Sequence, residues 1–268
     1  MQVLTDAQWA KFEAAITAVK LRKARPCNED RRTIGAIIWR LDNGTKWRSI
    51  QAELGGWHHA YLRFRRWAAS GVWTRSWPTS SPSPSRSWHS PALTAPFHRR
   101  TRRHPARGQQ TDTLKLRFNR KKGSNEQAIG RSRGGLRCKI VGICDAYGGL
   151  VDFVLVPGQA HELAPSLQLL GRPPKAPAWA LADIACDAAA FRSATEAMGA
   201  TPVVPSRKNA KEKKPCPGFV YRHRNQIERC WSRLKEWRAV ATRYDKTATS
   251  YAARITIAST LDWFKPSR

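Results

Sequence analysis

Four residues in the last quarter of the chain combine side-chain types suited to phosphoryl chemistry: Tyr221, Arg224, Glu228 and Lys235. Their offsets of 0, 3, 7 and 14, at roughly 100° per helical residue, place all four within about 60° of one another. One helix from about Phe219 to Val240 carries them as a polar row beside an apolar stripe of Ile227, Trp231 and Leu234. By spacing alone, Arg224 and Glu228 read equally well as a surface ion pair at i,i+4. Asp183 shifts that balance. It closes a short apolar run, Ala178 to Ala182, that reads as a buried strand, and open α/β sheets place ligands at strand ends. Asp183 and Glu228 converging would make a ligand pair for magnesium or manganese, because hard cations prefer oxygen donors. Two such ions would activate an attacking oxygen and stabilise a leaving one during phosphoryl transfer on DNA. The competing reading of Asp183 is a helix-preceding cap, although Asp187 already reads as the cap of a helix running to Met198.

The charge balance names the class of partner. The 268 residues hold 48 Lys and Arg against 19 Asp and Glu, a net charge of +29, which suits a chain that neutralises the phosphates of double-stranded DNA. A basic structural or RNA-binding protein would explain the charge but not the ordered Tyr-Arg-Glu-Lys row. No apolar run approaches the roughly 18 residues of a membrane helix, and Met1 to Lys11 lack the basic-then-apolar order of a signal peptide. A cytoplasmic, nucleoid-associated protein without membrane contact is therefore expected. The six cysteines include no Cys-x-x-Cys pair, as in a reducing compartment. Cys216, His223 and Cys230 are spaced by seven. Incidental thiols explain them better than zinc, which wants four ligands in structural sites.

The elements that must position these residues fall into three parts. Residues 1–73 read as short helices: Thr5 caps the first with Gln8 three residues on, Asp30 opens a second ending at Asn43-Gly44, Trp47 begins a third, and Trp57 to Trp67 forms a fourth. Arg63, Arg65 and Arg66 ride beside the aromatic residues of the fourth, as in a helix-turn-helix-like DNA module. A helical packing domain with a solvated basic surface is the plainer alternative. Residues 74–122 are rich in Ser, Pro and Arg, hold Asp112 as their single acid, and show no period over most of their length. A disordered basic linker is expected there. Residues 123–268 read as an α/β domain. It begins with a hairpin of Arg137 to Cys144 and Leu150 to Val156, and a helix from Glu162 to Leu170 follows. Next come the strand ending at Ala182, the helix after Asp187 and a strand from Thr201 to Val204. The basic loop Arg207 to Lys214, with Arg207 and Lys208 as DNA contacts, leads into the long helix, and a last helix spans Thr247 to Trp263. A mixed sheet covered by helices results.

Tyr221-x2-Arg224-x3-Glu228-x6-Lys235 resembles the Y-R-E-K signature of bacterial insertion-sequence transposases of the DDE type. Gln127-Ala-Ile-Gly-Arg-Ser-Arg-Gly-Gly, Pro157-Gly-Gln-Ala-His, Leu181-Ala-Asp, Asn225-Gln-Ile-Glu-Arg and Ala241-Thr-Arg-Tyr-Asp-Lys are similar to the insertion-sequence-five group, as are Leu4-Thr-Asp-Ala-Gln-Trp, Arg31-Arg-Thr-Ile and Gly71-Val-Trp. The resemblance covers roughly Leu4 to Trp73 and Gly123 to Trp263. It implies a ribonuclease-H-like catalytic fold and metal-dependent cleavage and transfer of DNA strands, by a homodimer on the element ends. Asp183 would be the second acid and Glu228 the third, with Arg224 and Lys235 holding phosphates and Tyr221 completing the signature.

The first acid of that family lies on a strand reading hydrophobic-Asp-Ser-Thr, which should fall between Trp73 and Gly123. Asp112 has flanks unlike a buried strand and is not given the role. Leu93-Thr-Ala-Pro-Phe, read one base earlier, is compatible with Asp-Ser-Thr-Ile, so a shifted frame is expected to have displaced the motif. Such a chain would lack stable structure from Thr74 to about Lys122 and would not transpose; it would then be a DNA-binding remnant.

Overall fold

The computed structural model describes residues 4–19, 30–75, 92–102, 127–132, 135–173 and 176–264. Thr5 and Gln8 make a reciprocal helix start: the Gln8 N–H donates to Thr5 Oγ1 at 3.2 Å and the Thr5 N–H to Gln8 Oε1 at 3.1 Å. Helix α1 (Asp6–Val19) follows and buries Phe12 and Ile16. Helix α2 (Asp30–Asn43) turns Ile34, Ile37, Ile38 and Leu41 inward, and Gly44 at φ +64 returns its N–H to the Arg40 carbonyl. The helix expected from Trp47 is instead two single 3-10 turns, Trp47–Ser49 and Ala52–Leu54. Ile50 and Gln51 between them adopt extended backbone, with ψ of 130° and 143°, and so stop the first turn. Helices α3 (Trp57–Ala69) and α4 (Val72–Arg75) complete the N-terminal region.

One mixed sheet occupies the middle of the chain. Its strands are β1 (Ala92–Arg102), β2 (Gly130–Ser132), β3 (Gly135–Cys144), β4 (Leu150–Pro157), β5 (Trp179–Leu181) and β6 (Thr201–Val203). Strands β2 and β4 both pair with β3, and the order continues β3-β1-β5-β6. The β1–β3, β2–β3 and β3–β4 pairs are antiparallel; β1–β5 and β5–β6 are parallel. The β3–β4 turn forms as the sequence suggests: Asp145 Oδ1 accepts from the N–H groups of Tyr147 and Gly149 at 3.0 and 2.7 Å, and Gly148 supplies a φ of +79.

Strand β1 corrects the expectation that residues 74–122 lack regular structure. Its backbone runs through the middle of the sheet, between β3 and β5. Pro96 cannot donate to a ladder, and the ladder accommodates it with an irregularity, since Thr94 pairs with Cys144 but Phe97 pairs with Gly142. The shifted-frame reading required this stretch to be irregular and loses that support. The remainder of residues 76–126, including Asp112, lies outside the described residues.

Helices α5 (Leu163–Leu170) and α6 (Ala189–Ala197) cover one face of the sheet. There Val141, Ile143, Val151, Leu169, Ala180, Ala182, Phe191 and Val204 form one buried cluster. Short helix α7 (Gly218–Tyr221), a 3-10 turn at Arg222–Arg224 and helix α8 (Asn225–Glu236) take the place of the first part of the expected continuous helix. The first break escapes a periodicity count because one 3-10 turn differs from an α-turn by only about 20° per residue. Trp237, at ψ 103, then ends α8 before helix α9 (Arg238–Ala241). Ile227 and Trp231 of α8 are buried, and a Cβ placed on Gly142 of β3 would meet Trp231 Cζ2, Trp231 Cη2 and Leu150 Cδ1 at 3.0 Å. Gly142→Ala should therefore lower unfolding stability by about 1–3 kcal/mol, measured by urea titration, because an indole against a strand has little room to withdraw.

Helix α10 (Ala248–Trp263) begins after Thr247, whose hydroxyl accepts from the Ser250 N–H. The chain divides into two compact units, and the division falls inside α8 after Ser232. In one unit the N-terminal helices pack with Arg233–Arg268; the other holds the sheet. Residues 233–268, expected at the end of the α/β domain, thus share a core with α1 to α4. In that core α10 lies against α2, α3 and α4, and Trp73 stacks obliquely on Phe12, Phe64 and Trp67. Among the described residues no helix is long and apolar enough to cross a membrane.

Candidate active site

Strand β5 ends at Leu181, in parallel register with Val203 of β6 and with Thr94 of β1. Ala182 is fully buried and its N–H reaches the Val203 carbonyl, so the chain emerges from the sheet at Asp183. Asp183 caps a 3-10 turn at Ile184–Cys186: its Oδ1 accepts from the Ile184 N–H at 2.6 Å. The capping role weighed for Asp183 is thus real, but it uses one carboxylate oxygen. The other, Oδ2, lies 3.6 Å from Arg224 Nη2.

Arg224 is the hinge of the site. Its Nη1 donates to Glu228 Oε1 at 3.3 Å, so one guanidinium holds Asp183 and Glu228 on its two terminal nitrogens. The i,i+4 ion pair expected from the spacing is present, and its arginine also reaches Asp183. Both carboxylates stay partly open to solvent, at 31% and 42% side-chain exposure. Tyr221 packs on Leu181, Val203 and Val220 at the same strand ends. Burial raises its phenol pKa, the Arg224 cation opposes this, and the Asp183 charge adds to it. Lys235 is exposed in the last turn of α8, beyond the unit boundary.

Asp187, expected as a helix cap, is not one. The N-cap of α6 is Ala188, because both Asp187 oxygens are engaged elsewhere: Oδ1 accepts from Arg192 Nη2 at 2.9 Å and Oδ2 from the Arg207 N–H at 2.8 Å. Burial alone would raise this carboxyl; those two donors outweigh it and hold it below the ordinary carboxylate range.

The donor set suits a hard divalent ion by type. Asp183 and Glu228 offer carboxylate oxygens at one strand end, yet among the described residues no three His, Cys, Asp or Glu gather, and that includes Cys216, His223 and Cys230. Strand β1, beside β5, carries no Asp or Glu between Ala92 and Arg102.

The basic residues assigned to DNA differ in their freedom. Arg63 is drawn into the helical core by an ion pair with Asp30 and lies over Trp67 at 5.2 Å, which makes it a structural cation first. Arg65 and Arg66 are exposed, Arg65 resting on Tyr61. Arg48, missed by the sequence reading, is exposed over Trp57 at 5.5 Å; its signal was the Trp47-Arg48 alternation. Arg207 and Lys208 are exposed on the loop after β6.

Residues 180–265 match the family described as "Transposase DDE domain". Residues 4–77 match the family described as "Putative transposase of IS4/5 family". The two matches together support an IS4/5-type DDE transposase. No curated protein and no solved structure matches it.

Proposed function

We propose that this chain binds double-stranded DNA, at insertion-sequence ends and target, and that Asp183 and Glu228 are two of the three acids of a strand-cleaving site. The observation carrying the reading is the single guanidinium of Arg224 on both carboxylates, which come from separate elements of the sheet unit. The strand order β4-β3-β1-β5-β6, with three antiparallel strands beside two parallel ones, supports a ribonuclease-H-like fold. A divalent ion, magnesium or manganese, bound to these oxygens would supply Lewis-acid activation of water or a 3′-hydroxyl and stabilise the leaving oxygen. Asp183 and Glu228 would hold it. Arg224 balances their charge, and Tyr221 fills the apolar floor beside Asp183. As written, the chain lacks the third carboxylate on β1 and is a DNA-binding protein without strand cleavage. A homodimer on paired ends is the assembly expected of this function.

The basic surfaces make a measurable demand. Each phosphate neutralised on B-DNA contributes about −0.9 to the slope of log K against log salt. Duplex binding by the chain should fall steeply from low to moderate salt, and Arg65→Ala with Arg66→Ala should flatten the slope by about 1–2. A salt-independent affinity would count against phosphate-led binding.

A further inference from the structure

The loop after β6 raises a question that its charge does not answer: how five cations in a short exposed segment are held in one arrangement. Arg207, Lys208, Lys211, Lys213 and Lys214 lie between Val204 and Cys216, and all five are exposed. Lys214 is engaged by Glu212 at 2.8 Å. Both ends of the loop sit near the strand ends that carry Asp183, because Val203 pairs with Leu181 while Cys216 packs against the cluster of Leu181, Val203 and Val220.

A clasp holds the outgoing end. Asp187 takes the Arg207 N–H on one oxygen and Arg192 on the other, and Arg192 Nη2 also donates to the Val204 carbonyl at 2.8 Å. Acid and arginine are mostly buried, at 14% and 12% side-chain exposure. Behind the clasp, the Lys214 N–H donates to Ser206 Oγ at 2.9 Å and closes the base of the loop.

We propose that Asp187 is a positioning residue for DNA binding: through Arg192 and the Arg207 backbone it fixes Arg207, Lys208, Lys211 and Lys213 as a phosphate grip beside the acid site. This rests on the reading that the chain binds DNA. Nothing requires Asp187 to touch DNA. Its carboxylate repels phosphate, so simple electrostatics and positioning make opposite forecasts. Removing one negative charge beside a polyanion site should tighten binding; releasing the loop should loosen it.

The test uses the full chain and a fluorescent DNA duplex, read by anisotropy across salt concentrations, with thermal midpoints and tryptic cleavage of the loop measured in parallel. Asp187→Ala should weaken binding about 3- to 10-fold, as expected when one or two phosphates are no longer gripped, and speed cleavage after Lys208 or Lys211. Asp187→Asn keeps an acceptor for the Arg207 N–H and should fall between the two, still weaker than the parent although it removes the same negative charge. It also serves as the folded comparison if Asp187→Ala does not fold. Lys208→Ala with Lys211→Ala should flatten the salt slope by about 0.9 for each phosphate no longer neutralised. If that double variant leaves affinity and slope unchanged, the loop does not meet DNA and the underlying reading fails there. If it flattens the slope while Asp187→Ala or Asp187→Asn binds DNA as well as the parent or better, only the positioning role is overturned.

Discussion

Given magnesium and a duplex bearing the ends of its insertion sequence, the chain should leave both strands intact, and it should gain nicking when an acid is installed on β1. Thr94 is the place for it. Thr94 pairs in parallel register with Leu181, two residues before Asp183, and neighbouring strands lie about 4.8 Å apart, so the backbone at position 94 lies beside the strand end from which Asp183 emerges. The variant Thr94→Asp, Ala95→Ser, Pro96→Thr, Phe97→Ile supplies the hydrophobic-strand acid motif and removes the proline from the central ladder. A third oxygen ligand lets two ions be fixed for in-line transfer, and a stabilisation of several kcal/mol at the transition state corresponds to a rate gain of at least about 100-fold. Adding Glu228→Ala should return nicking to background. Efficient cutting by the unaltered chain would show that its acid set is complete and that the first acid lies elsewhere.

Asp245→Ala should be the most destabilising single change in the helical unit. Asp245 forms an ion pair with Arg254, itself 3% exposed, and lies under the charges of Arg40 and Arg243. Arg40 is packed over Trp47 at 4.6 Å, and Arg254 over Phe64 at 5.3 Å. Removing this acid would take away the carboxylate that the buried Arg254 guanidinium meets and that the Arg40 and Arg243 charges face. Breaking a buried pair costs about 3–5 kcal/mol, or roughly 12–20 °C in thermal midpoint for a unit of this size. Exposed Asp42→Ala should change stability by less than about 0.5 kcal/mol. The pH dependence has a defined sign. Burial pushes the Asp245 carboxyl up to about 6 against the pull of Arg40 and Arg243, above its value in the unfolded chain. Its contribution to stability is then fully present below the unfolded value and is lost as pH rises through about 6. Denaturant titrations of parent and Asp245→Asn between pH 4 and 8 should differ by this term, and identical profiles would refute it.

Much of the local structure could be read in the residues themselves. The Thr5–Gln8 start of α1, Gly44 after α2 and the Asp145 turn all form where short-range signals put them, because capping and turn bonds join residues a few positions apart. The i,i+4 spacing put Arg224 beside Glu228 for the same reason, and Asp183 follows the apolar run that forms β5. The reading failed where distant residues decide. Strand β1 was taken for linker because Pro and Arg argue against a strand locally, while pairing with β3 and β5 on either side can hold it there. Asp187 was taken for a cap because its partners Arg192 and Arg207 are brought to it only by α6 and β6. Residues 233–268 were assigned to the sheet by their position in the chain, yet their burial is completed by the N-terminal helices. Residue types and local periods are encoded within a few positions, whereas strand register, ion-pair partners and the membership of a core depend on contacts between segments far apart in sequence. The chain alone therefore determined the residue types and the i,i+4 spacing of Arg224 and Glu228, and the tertiary structure decided that Asp183 and Glu228 would share one arginine.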